Sequence, residues 1–472
     1  MLHSLKKHLK RIAPPKAILW YHKFLSKLAA AMYKHPSREM LVIGVTGTNG
    51  KSTTCHLIAR ILDATEHKVG MATTVEFQIG SKRWLNDTKM TMLGRFQLQK
   101  LLRKMVDEKV KYAVIEVSSQ GIMQHRHEGI DFDIAVFTNL TPEHIESHGS
   151  FEAYKKEKGK LFEQLSKSVK KYSVTEPDGE KVYADNKKYT DRTTSEKICK
   201  TIIVNGDDPE REYFASFDAQ EKYLYGIDDD SGDGPKGYGI VRATNVECKD
   251  QETTFRIGNI GFHLQLPGVY NVYNALAAVS VGLSRGMDFR QLSKILEGPM
   301  IVPGRFETID EGQDFKVIVD YAPELESMKA VQSVIKGMNK NRVIHVLGAC
   351  GGGRDAEKRP ALGNMAAEVA DIVIITNEDP YDDDPQKIID EVAAGAKEQG
   401  KTEETTLFSI LDRSQAIQKA INLAQTGDVV LVTGKGAEQA MCVAGGKKVK
   451  WDDRQEARRA LLHRKTNRLS KA

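Results

Sequence analysis

A glycine-rich segment near the start of the chain has the residue types and spacing needed to bind phosphate. It reads Gly44-Val45-Thr46-Gly47-Thr48-Asn49-Gly50-Lys51-Ser52-Thr53. Glycines allow backbone N–H groups to surround an anion, and the N-terminus of a following helix adds partial positive charge. The Lys51 ammonium can reach the β- and γ-phosphates, and the Ser52 hydroxyl can bind Mg²⁺. Although Val45 occupies the first glycine position of the GxxxxGKS/T pattern, the strand–loop–helix context predicts a phosphate-binding loop.

Phosphate binding alone does not separate a ligase from a kinase or a nucleotide switch. A GTPase would need a guanine-reading NKxD segment, and the nearest approach, Asn186-Lys187-Lys188-Tyr189, lacks the aspartate. His144 and His148 have the i, i+4 spacing of a zinc pair, but no HExxH glutamate accompanies them. Glu116 ends an apolar run, at the edge where α/β sheets bind their ligands.

Further segments follow the loop in the order found in the Mur ligases, and together they make the chain resemble that family. They are Glu116-Val117-Ser118-Ser119, Gln124-His125-Arg126, Phe137-Thr138-Asn139-Leu140, the segment 143–149, Tyr154 with Lys158 and Leu161-Phe162, Asn205-Gly206-Asp207-Asp208, Asn271 with Asn274, Pro303-Gly304-Arg305, Asp320-Tyr321-Ala322, Lys358-Arg359-Pro360, Gly434-Lys435-Gly436 and Asp452-Asp453-Arg454. The resemblance covers roughly residues 41–465. It is closest to the MurE-like branch, which adds the third amino acid to a UDP-N-acetylmuramoyl dipeptide.

The resemblance implies an ATP-dependent ligase that joins the carboxylate of a muramoyl-peptide precursor to the amine of a free amino acid. An acyl phosphate would form, and ADP and phosphate would be released. The implied cofactors are ATP and two Mg²⁺ ions. The implied metal ligands are Ser52, Glu116, His144 and Lys158, and the implied catalytic residues are Lys51, Glu116, His144 and Lys158. An ammonium has no lone pair for a metal, so the resemblance implies that Lys158 is carbamylated; a solvated lysine on a Lys-rich helix is the alternative.

Nucleotide and substrate contacts are implied by the same resemblance. The residues implied for ATP are Gly47, Thr48, Asn49, Gly50, Lys51, Ser52, Thr53, Asn271, Asn274, Arg305 and Asp320. The last two come from a second domain, so domain closure would complete the site and exclude water from the acyl phosphate. The residues implied for the acyl donor and the amino acid are Thr91, Ser118, Ser119, His125, Arg126, Glu378, Asp379, Tyr381, Gly434 and Glu438.

Several positions depart from the family pattern. Only about 40 residues precede the phosphate loop, so we expect the family's N-terminal UDP-binding domain to be lacking, and the acyl donor could be UDP-linked or lipid-linked. The family's DNPR segment reads Glu378-Asp379-Pro380-Tyr381, and without its arginine diaminopimelate is disfavoured and a lysine-like amino acid is favoured. Two other functions stay open: a related ligase of the folylpolyglutamate or poly-amino-acid type, and an ATP-binding scaffold without activity.

Short apolar runs alternate with helical patterns from Leu41 onward, which predicts an α/β fold with a mostly parallel sheet. We predict a central P-loop ATPase domain over 39–302 and a C-terminal Rossmann-like α/β domain over 303–472. The polar stretch 168–200 is interpreted as a surface insertion.

The composition indicates the cellular compartment. The 472 residues are 40% hydrophobic, and the five cysteines stand singly, which favours a reducing compartment and hence the cytoplasm. Residues 1–38 hold nine Lys/Arg and no acid. This basic amphipathic segment is too polar to span a bilayer; it either docks on its own domain or contacts the inner membrane surface peripherally. We expect a monomer and no nucleic-acid partner.

Overall fold

A computed structural model describes residues 15–143, 145–175, 181–185, 196–227, 235–353 and 356–469. The strands are β1 (Leu41–Thr46), β2 (Val69–Ala72), β3 (Glu76–Ile79), β4 (Lys82–Leu85), β5 (Tyr112–Glu116), β6 (Ile134–Phe137), β7 (Lys171–Thr175), β8 (Lys181–Asp185), β9 (Glu196–Lys197), β10 (Thr201–Asn205), β11 (Glu221–Ile227), β12 (Gly239–Cys248), β13 (Thr253–Ile257), β14 (Ile260–Leu264), β15 (Glu307–Thr308), β16 (Lys316–Val319), β17 (Val343–Leu347), β18 (Ile372–Thr376), β19 (Leu407–Ile410), β20 (Val429–Val432), β21 (Ala440–Val443) and β22 (Lys447–Lys450). The helices are α1 (Pro15–Met32), α2 (Lys51–Asp63), α3 (Arg95–Asp107), α4 (Ser119–Met123), α5 (Ile145–His148), α6 (Phe151–Lys167), α7 (Arg211–Ala215), α8 (Val269–Leu283), α9 (Phe289–Leu296), α10 (Leu325–Gly337), α11 (Lys358–Val369), α12 (Pro385–Glu398), α13 (Arg413–Leu423) and α14 (Asp453–Leu469).

The larger sheet has the order β14-β13-β12-β11-β10-β6-β1-β5-β2-β3-β4. Its strands pair in parallel from β12 to β2 and antiparallel at both edges. The central strands β1, β5 and β6 are buried at every residue, because helices cover both faces, and such strands are continuous apolar runs. The predicted mostly parallel sheet is therefore confirmed.

The second sheet has the order β15-β16-β20-β17-β18-β19, and its pairs are parallel except for β15 with β16. Helices α10, α11 and α12 share one hydrophobic core with it, and α13 and α14 share another. The C-terminal α/β domain expected from the sequence is thus confirmed. The ends of β16, β17, β18 and β20 carry the segments that face the larger sheet.

The stretch 168–200 differs from the surface insertion that its polarity suggested. Its described residues form the antiparallel sheet β8-β7-β9. Lys171 is completely buried and forms an ion pair with the buried Asp133, and Lys200 Nζ lies 2.9 Å from Asp133 Oδ1. The prediction was wrong for this part of the segment, because the carboxylate that compensates both lysines lies far away in the sequence.

Helix α1 packs on the larger domain through a narrow face of small residues. Ser26, Ala29 and Ala30 are buried, and Ser26 Oγ donates to the carbonyl oxygen of His125 at 2.6 Å. In the part of the chain that the structure describes, no helix has both the length and the apolar character required to cross a bilayer.

Candidate active site

A cavity of about 770 Å³ lies between the phosphate loop and the C-terminal domain. It is lined by most of the residues singled out from the sequence: Thr48, Asn49, Gly50, Lys51, Ser52, Thr53, Thr91, Glu116, Ser118, Ser119, Arg126, Lys158, Asn271, Asn274, Arg305, Asp320, Glu378, Asp379, Tyr381 and Glu438. Gly47, His125 and Gly434 do not line it, and His144 lies outside the described residues. One cavity therefore holds candidate groups from both domains.

The loop between β1 and α2 has the backbone shape that its glycines permit. Gly50 has φ +80°, and a Cβ atom there would lie 2.2 Å from Asn274 Oδ1. A Cβ atom on Gly47 would lie 1.9 Å from Thr138 Oγ1. The Lys51 ammonium donates to the carbonyl oxygen of Thr48 at 2.6 Å. The loop is thus packed against neighbouring segments. The Lys51 ammonium, at the N-terminus of α2, contacts the loop backbone.

Glu116 lies at the end of β5 beside the first residues of α2. Its Oε2 accepts hydrogen bonds from Ser52 Oγ at 2.9 Å and from the Thr74 backbone N–H at 2.8 Å. Its Oε1 accepts from Thr74 Oγ1 at 2.9 Å. The carboxylate and the Ser52 hydroxyl are adjacent hard oxygen donors on the cavity, which is the ligand chemistry that Mg²⁺ prefers.

Lys158 is buried within the lysine-rich helix α6, although the sequence composition alone did not distinguish it from the solvated lysines of the same helix. Only 2% of its surface is exposed, and its Nζ donates to the carbonyl oxygen of Gly47 at 2.5 Å. Burial, and to a lesser degree the Lys51 charge, hold the pKa of this amine well below its usual value. Tyr154, Leu161, Phe162 and Leu165 are buried on the same helix. The interior stripe of α6 therefore contains a lysine at the phosphate loop.

The opening turn of α8 meets the phosphate loop. Asn274 Oδ1 accepts from Thr54 Oγ1 at 3.2 Å, and Asn274 Nδ2 donates to Asn271 Oδ1 at 3.0 Å. Asn271 Nδ2 donates to the carbonyl oxygen of Pro267 at 2.8 Å. Both asparagines are buried, so they hold a fixed polar edge against the loop.

Asp320 and Arg305 extend the cavity from the C-terminal domain. Asp320 accepts from the backbone N–H of Phe306 at 2.6 Å and of Ala322 at 2.8 Å. Burial raises the pKa of Asp320, and these bonds together with Arg305 oppose that change. The Arg305 guanidinium lies 4.4 Å from the centre of the Tyr321 ring. Both side chains are thereby held in place on the cavity.

The residues after β5 form a second wall. Ser118 Oγ accepts from the Gly121 N–H at 3.2 Å and caps α4, and Ser119 Oγ lies 3.2 Å from His148 Nε2. Arg126 donates to Gln124 Oε1 at 2.8 Å and to the Met92 carbonyl oxygen. Its Nε is buried and makes no hydrogen bond among the described residues. Arg126 is therefore a cation on the cavity with one donor still available.

Carboxylates from the ends of β18 and β20 form the opposite wall. Glu378 is buried, which raises its pKa, and its Oε1 accepts from Cys350 Sγ at 3.0 Å. A Cβ atom on Gly434 would lie 2.4 Å from Glu378 Oε2. Asp379 Oδ1 accepts from Lys435 Nζ at 2.9 Å, and Glu438 Oε2 accepts from the same ammonium at 2.6 Å. Tyr381 has φ +52°, and its N–H donates to the Cys442 carbonyl oxygen.

Thr74 and Lys89 are site residues that sequence reasoning missed. Thr74 follows the short strand β2 and makes two hydrogen bonds to Glu116. Lys89 belongs to the loop after β4, and its Nζ forms ion pairs with Asp379 and with Glu438, the latter at 3.2 Å. Neither residue belongs to a motif or to an apolar period, so only the tertiary structure identifies them.

Comparison with protein families matches both parts of the chain. The model described as the Mur ligase middle domain matches residues 45–196 and 180–282, and the model described as the Mur ligase, glutamate ligase domain matches residues 304–436. These ranges contain the phosphate loop, Lys158 and Asp320.

Similar proteins include a UDP-N-acetylmuramyl-tripeptide synthetase of Roseiflexus sp. (strain RS-1), which is 37% identical over 445 residues, 93% of this chain and 81% of the relative. A UDP-N-acetylmuramoyl-L-alanyl-D-glutamate–2,6-diaminopimelate ligase of Geobacillus thermodenitrificans (strain NG80-2) is 36% identical over 444 residues, 93% of this chain and 82% of the relative.

Two solved structures illustrate the structural similarity. A UDP-N-acetylmuramoyl-L-alanyl-D-glutamate–2,6-diaminopimelate ligase has a TM-score of 0.56 at 26% identity, over 90% of this chain and 79% of that chain. E. coli FolC in complex with ADP has a TM-score of 0.60 at 19% identity, over 92% of this chain and 94% of that chain. At this lower identity the FolC comparison shows the fold alone.

Proposed function

The chain belongs to the Mur ligase family, and from this premise we propose how its cavity adds an amino acid to a muramoyl peptide. The chain is an ATP-dependent ligase. A carboxylate oxygen of the muramoyl peptide attacks the γ-phosphorus of ATP, so that ADP leaves and an acyl phosphate forms. The amino-acid amine then attacks the acyl carbon and loses a proton, and inorganic phosphate leaves. The observation that carries the proposal is the single cavity shared by the phosphate loop and the C-terminal carboxylates.

The reaction uses ATP and Mg²⁺, as is typical of the family. The hydroxyl of Ser52 and the carboxylate of Glu116 are adjacent oxygen donors and suit one Mg²⁺ ion. We propose that His144 and Lys158 bind a second ion. A bound metal ion would supply the positive charge that two anions, the triphosphate and the carboxylate, need to approach each other. The Lys51 ammonium adds to that charge from within the phosphate loop.

Lys158 is proposed to be carbamylated. Its ammonium would first lose one proton, and the neutral amine would then attack CO₂ and lose a second proton, which leaves a carbamate anion that can bind metal. Its placement supports this, since Nζ is buried beside the Gly47 carbonyl oxygen, and the Lys51 charge lies close by. A buried ammonium next to another cation is unfavourable, and the carbamate removes that repulsion.

The test uses Lys158→Ala with Lys160→Ala as the matched control. Lys160 lies on the same helix, but its side chain is 42% exposed and pairs with Glu157. We expect the Lys158 variant to lose ligation by a factor on the order of 10² to 10³, measured as phosphate release with UDP-linked or lipid-linked muropeptide. Bicarbonate should not restore it, because the side chain is gone. Carbon-13 NMR under labelled CO₂ should show a carbamate in the wild type and the control only. Full activity of the Lys158 variant would contradict the assignment.

The remaining contacts complete the proposal. Asn271 and Asn274 contact the adenosine end of ATP, and Arg305 and Asp320 reach the nucleotide from the proposed C-terminal domain, which begins near residue 303. Thr91, Ser118, Ser119, His125 and Arg126 bind the muramoyl peptide. The carboxylates Glu378, Asp379 and Glu438, with Tyr381 and Gly434, form the amino-acid subsite. Their common lining of the cavity supports these roles for all but His125 and Gly434, which do not line it.

Folylpolyglutamate ligation is a weaker candidate, since the folate enzyme resembles this chain at 19% identity, whereas the relatives at 36% and 37% are named for muramyl substrates. We also propose a monomer, because both walls of the cavity come from one chain. A cytoplasmic location with a peripheral membrane contact through residues 1–38 is proposed from the basic charge of that segment and the outward apolar face of α1.

A further inference from the structure

The proposed amino-acid subsite already contains a cation from the opposite domain. Lys89 lies in the loop after β4, and only 7% of its side chain is exposed. Its ammonium forms an ion pair with Asp379 and lies 3.2 Å from Glu438 Oε2. Both carboxylates belong to the C-terminal domain and line the cavity. The ion pairs therefore cross from one wall of the site to the other.

The loop that carries Lys89 is held in a defined conformation. Asn86 Nδ2 donates to the Thr73 carbonyl oxygen at 2.8 Å and to the Met90 carbonyl oxygen at 3.0 Å. Asn86 Oδ1 accepts from Thr88 Oγ1 at 2.6 Å. Lys89 itself has φ +55°, a conformation that non-glycine residues adopt rarely and that often marks functional sites. The ammonium is thus delivered by an ordered turn and not by a freely moving side chain.

Two ammonium groups balance two carboxylates at this point. Lys435 is completely buried and binds Asp379 and Glu438 as well. Asp379 Oδ1 also accepts from the Cys442 N–H at 2.7 Å. Burial disfavours the ionised form of Asp379, but Lys435 and Lys89 outweigh it and lower the pKa of this carboxyl group. Asp379 and Glu438 therefore already have their countercharges within the protein.

One acceptor remains beside this cluster. Glu378 lines the same cavity, and its Oε2 is buried and has no hydrogen-bond partner among the described residues. It can receive a single ammonium. An amino acid with a second ammonium on its side chain would find Asp379 and Glu438 occupied by Lys89 and Lys435, and an unpaired buried charge is strongly disfavoured.

We propose that Lys89 determines the specificity of the amino-acid subsite by filling the position of a second ammonium, so that the site selects side chains without a net positive charge. This rests on the proposed ligase function. It argues against the lysine-like substrate that the sequence favoured. The acidic run 382–384 does not restore a cation site there, because none of its three residues lines the cavity.

The test compares L-lysine with L-norleucine, which differ by the terminal ammonium. The ratio of kcat/KM for lysine to that for norleucine should rise about tenfold or more in Lys89→Met, because two carboxylate contacts become available. Lys89→Arg keeps the charge and should leave the ratio near the wild-type value. Lys448→Met is the matched control, since Lys448 lines the same cavity and donates to the Thr88 carbonyl oxygen but forms no ion pair with these carboxylates.

Calorimetric titration of both amino acids, with a non-hydrolysable ATP analogue and muropeptide present, measures the same ratio without turnover. Absence of ligation in the wild type with every amino acid would refute the proposed function. The ratio of the lysine and norleucine affinities would still test whether Lys89 determines specificity. An unchanged or reduced ratio in Lys89→Met, in a variant whose melting temperature shows that it is folded, would overturn the specificity assignment.

Discussion

At the scale of single residues, the phosphate loop depends on positions where a side chain has no room. Gly50 combines φ +80° with close contact to Asn274, which lies on α8. The phosphate loop and α8, which we propose to contact the triphosphate and the adenosine of ATP, are therefore in close contact at Gly50. A side chain here would disturb both at once.

Gly50→Ala should weaken nucleotide binding. The new Cβ would lie 2.2 Å from Asn274 Oδ1, so either the loop or the asparagine must move. We expect the Kd for ADP to rise about tenfold or more, equivalent to at least about 1.4 kcal/mol. Gly337→Ala is the control, because a Cβ atom at the end of α10 meets open space; its Kd should stay at the wild-type value. Calorimetry that gives equal Kd values for Gly50→Ala and the wild type would contradict this view of the loop.

Sequence reasoning reached some of these residues more easily than others. The phosphate loop could be identified because glycine, lysine and serine occur at a fixed local spacing. Lys158 depended on family resemblance, but it also falls in the apolar stripe of α6 with Tyr154, Leu161 and Phe162, and a lysine in such a stripe is a signal that periodicity alone can reveal. Lys89 gave no signal, because its partners Asp379 and Glu438 lie almost 300 or more residues away in the chain.

At the scale of elements, buried central strands were predictable and edge elements were not. Strands β1, β5 and β6 are continuous apolar runs because helices cover both faces. The hairpin β21–β22 escaped prediction because all four residues of β22 are exposed and three of them are lysines. The local pattern of such an edge strand resembles that of a surface loop, and its strand geometry follows from pairing with β21.

Strand β17 carries a buried histidine that should make the C-terminal domain sensitive to acid. His345 Nε2 lies 3.0 Å from Thr433 Oγ1. Burial, together with the Arg413 charge, lowers the pKa of His345 to about 3. In the unfolded chain this histidine has a pKa of about 6.5. Between these values the unfolded state binds more protons, so the free energy of unfolding must fall as the pH falls below about 6.5.

From pH 7 to pH 5, His345 should cost the folded state about 2 kcal/mol. Urea unfolding of the wild type and of His345→Gln at both pH values measures this contribution. The loss of unfolding free energy between pH 7 and pH 5 is compared for the two proteins, so that the contributions of other titrating groups cancel. The variant will be less stable overall, but its loss between the two pH values should be smaller by about 2 kcal/mol. Equal losses in the two proteins would show that His345 does not titrate as its burial implies.

At the scale of the whole molecule, the two domains meet through polar contacts around the cavity. Lys448 Nζ donates to the Thr88 carbonyl oxygen at 2.9 Å, and Lys316 Nζ lies 2.6 Å from Asp250 Oδ2. Together with the ion pairs of Lys89, these contacts form polar links between the domains. Such an interface can open and close as substrates enter and leave.

The outer face of α1 is the other feature that concerns the whole molecule. Its exposed side chains include Trp20, Tyr21, Phe24, Leu28 and Met32. At 100° per residue these positions share one face, opposite the small residues that pack on the domain. Trp20 is 68% exposed, and its ring stacks on Phe24 with 5.6 Å between centroids. Two exposed lysines border this face: Lys27, and Lys23, which also pairs with Glu128.

An aromatic surface flanked by lysines matches a lipid surface of negative charge better than it matches water. The basic segment 1–38, with nine Lys/Arg and no acid, supplies the charge complementarity, since the rest of the chain sums to about −4. Membrane binding through this face would also bring the residues that we propose to contact the muramoyl peptide near the bilayer. Ser26 of α1 holds the His125 backbone, and Arg95 bonds to the carbonyl oxygens of His22 and Gln124.

The double variant W20S/F24S should lose about tenfold or more of its binding to phosphatidylglycerol vesicles, because each aromatic ring buries a large apolar area at an interface. The matched control is Ile301→Ser, which removes a side chain that is 70% exposed but lies far from α1 in sequence. Wild-type binding should weaken with added salt, since lysine charges contribute, and should be much lower on phosphatidylcholine vesicles.

If the wild type does not bind anionic vesicles but sedimentation shows that W20S/F24S converts a dimer into a monomer, then the face binds a second copy of the chain and the membrane proposal fails. Equal vesicle binding by W20S/F24S and the wild type would likewise exclude α1 as the contact, because the variant lacks two aromatic side chains of the face that we expect to meet the lipid.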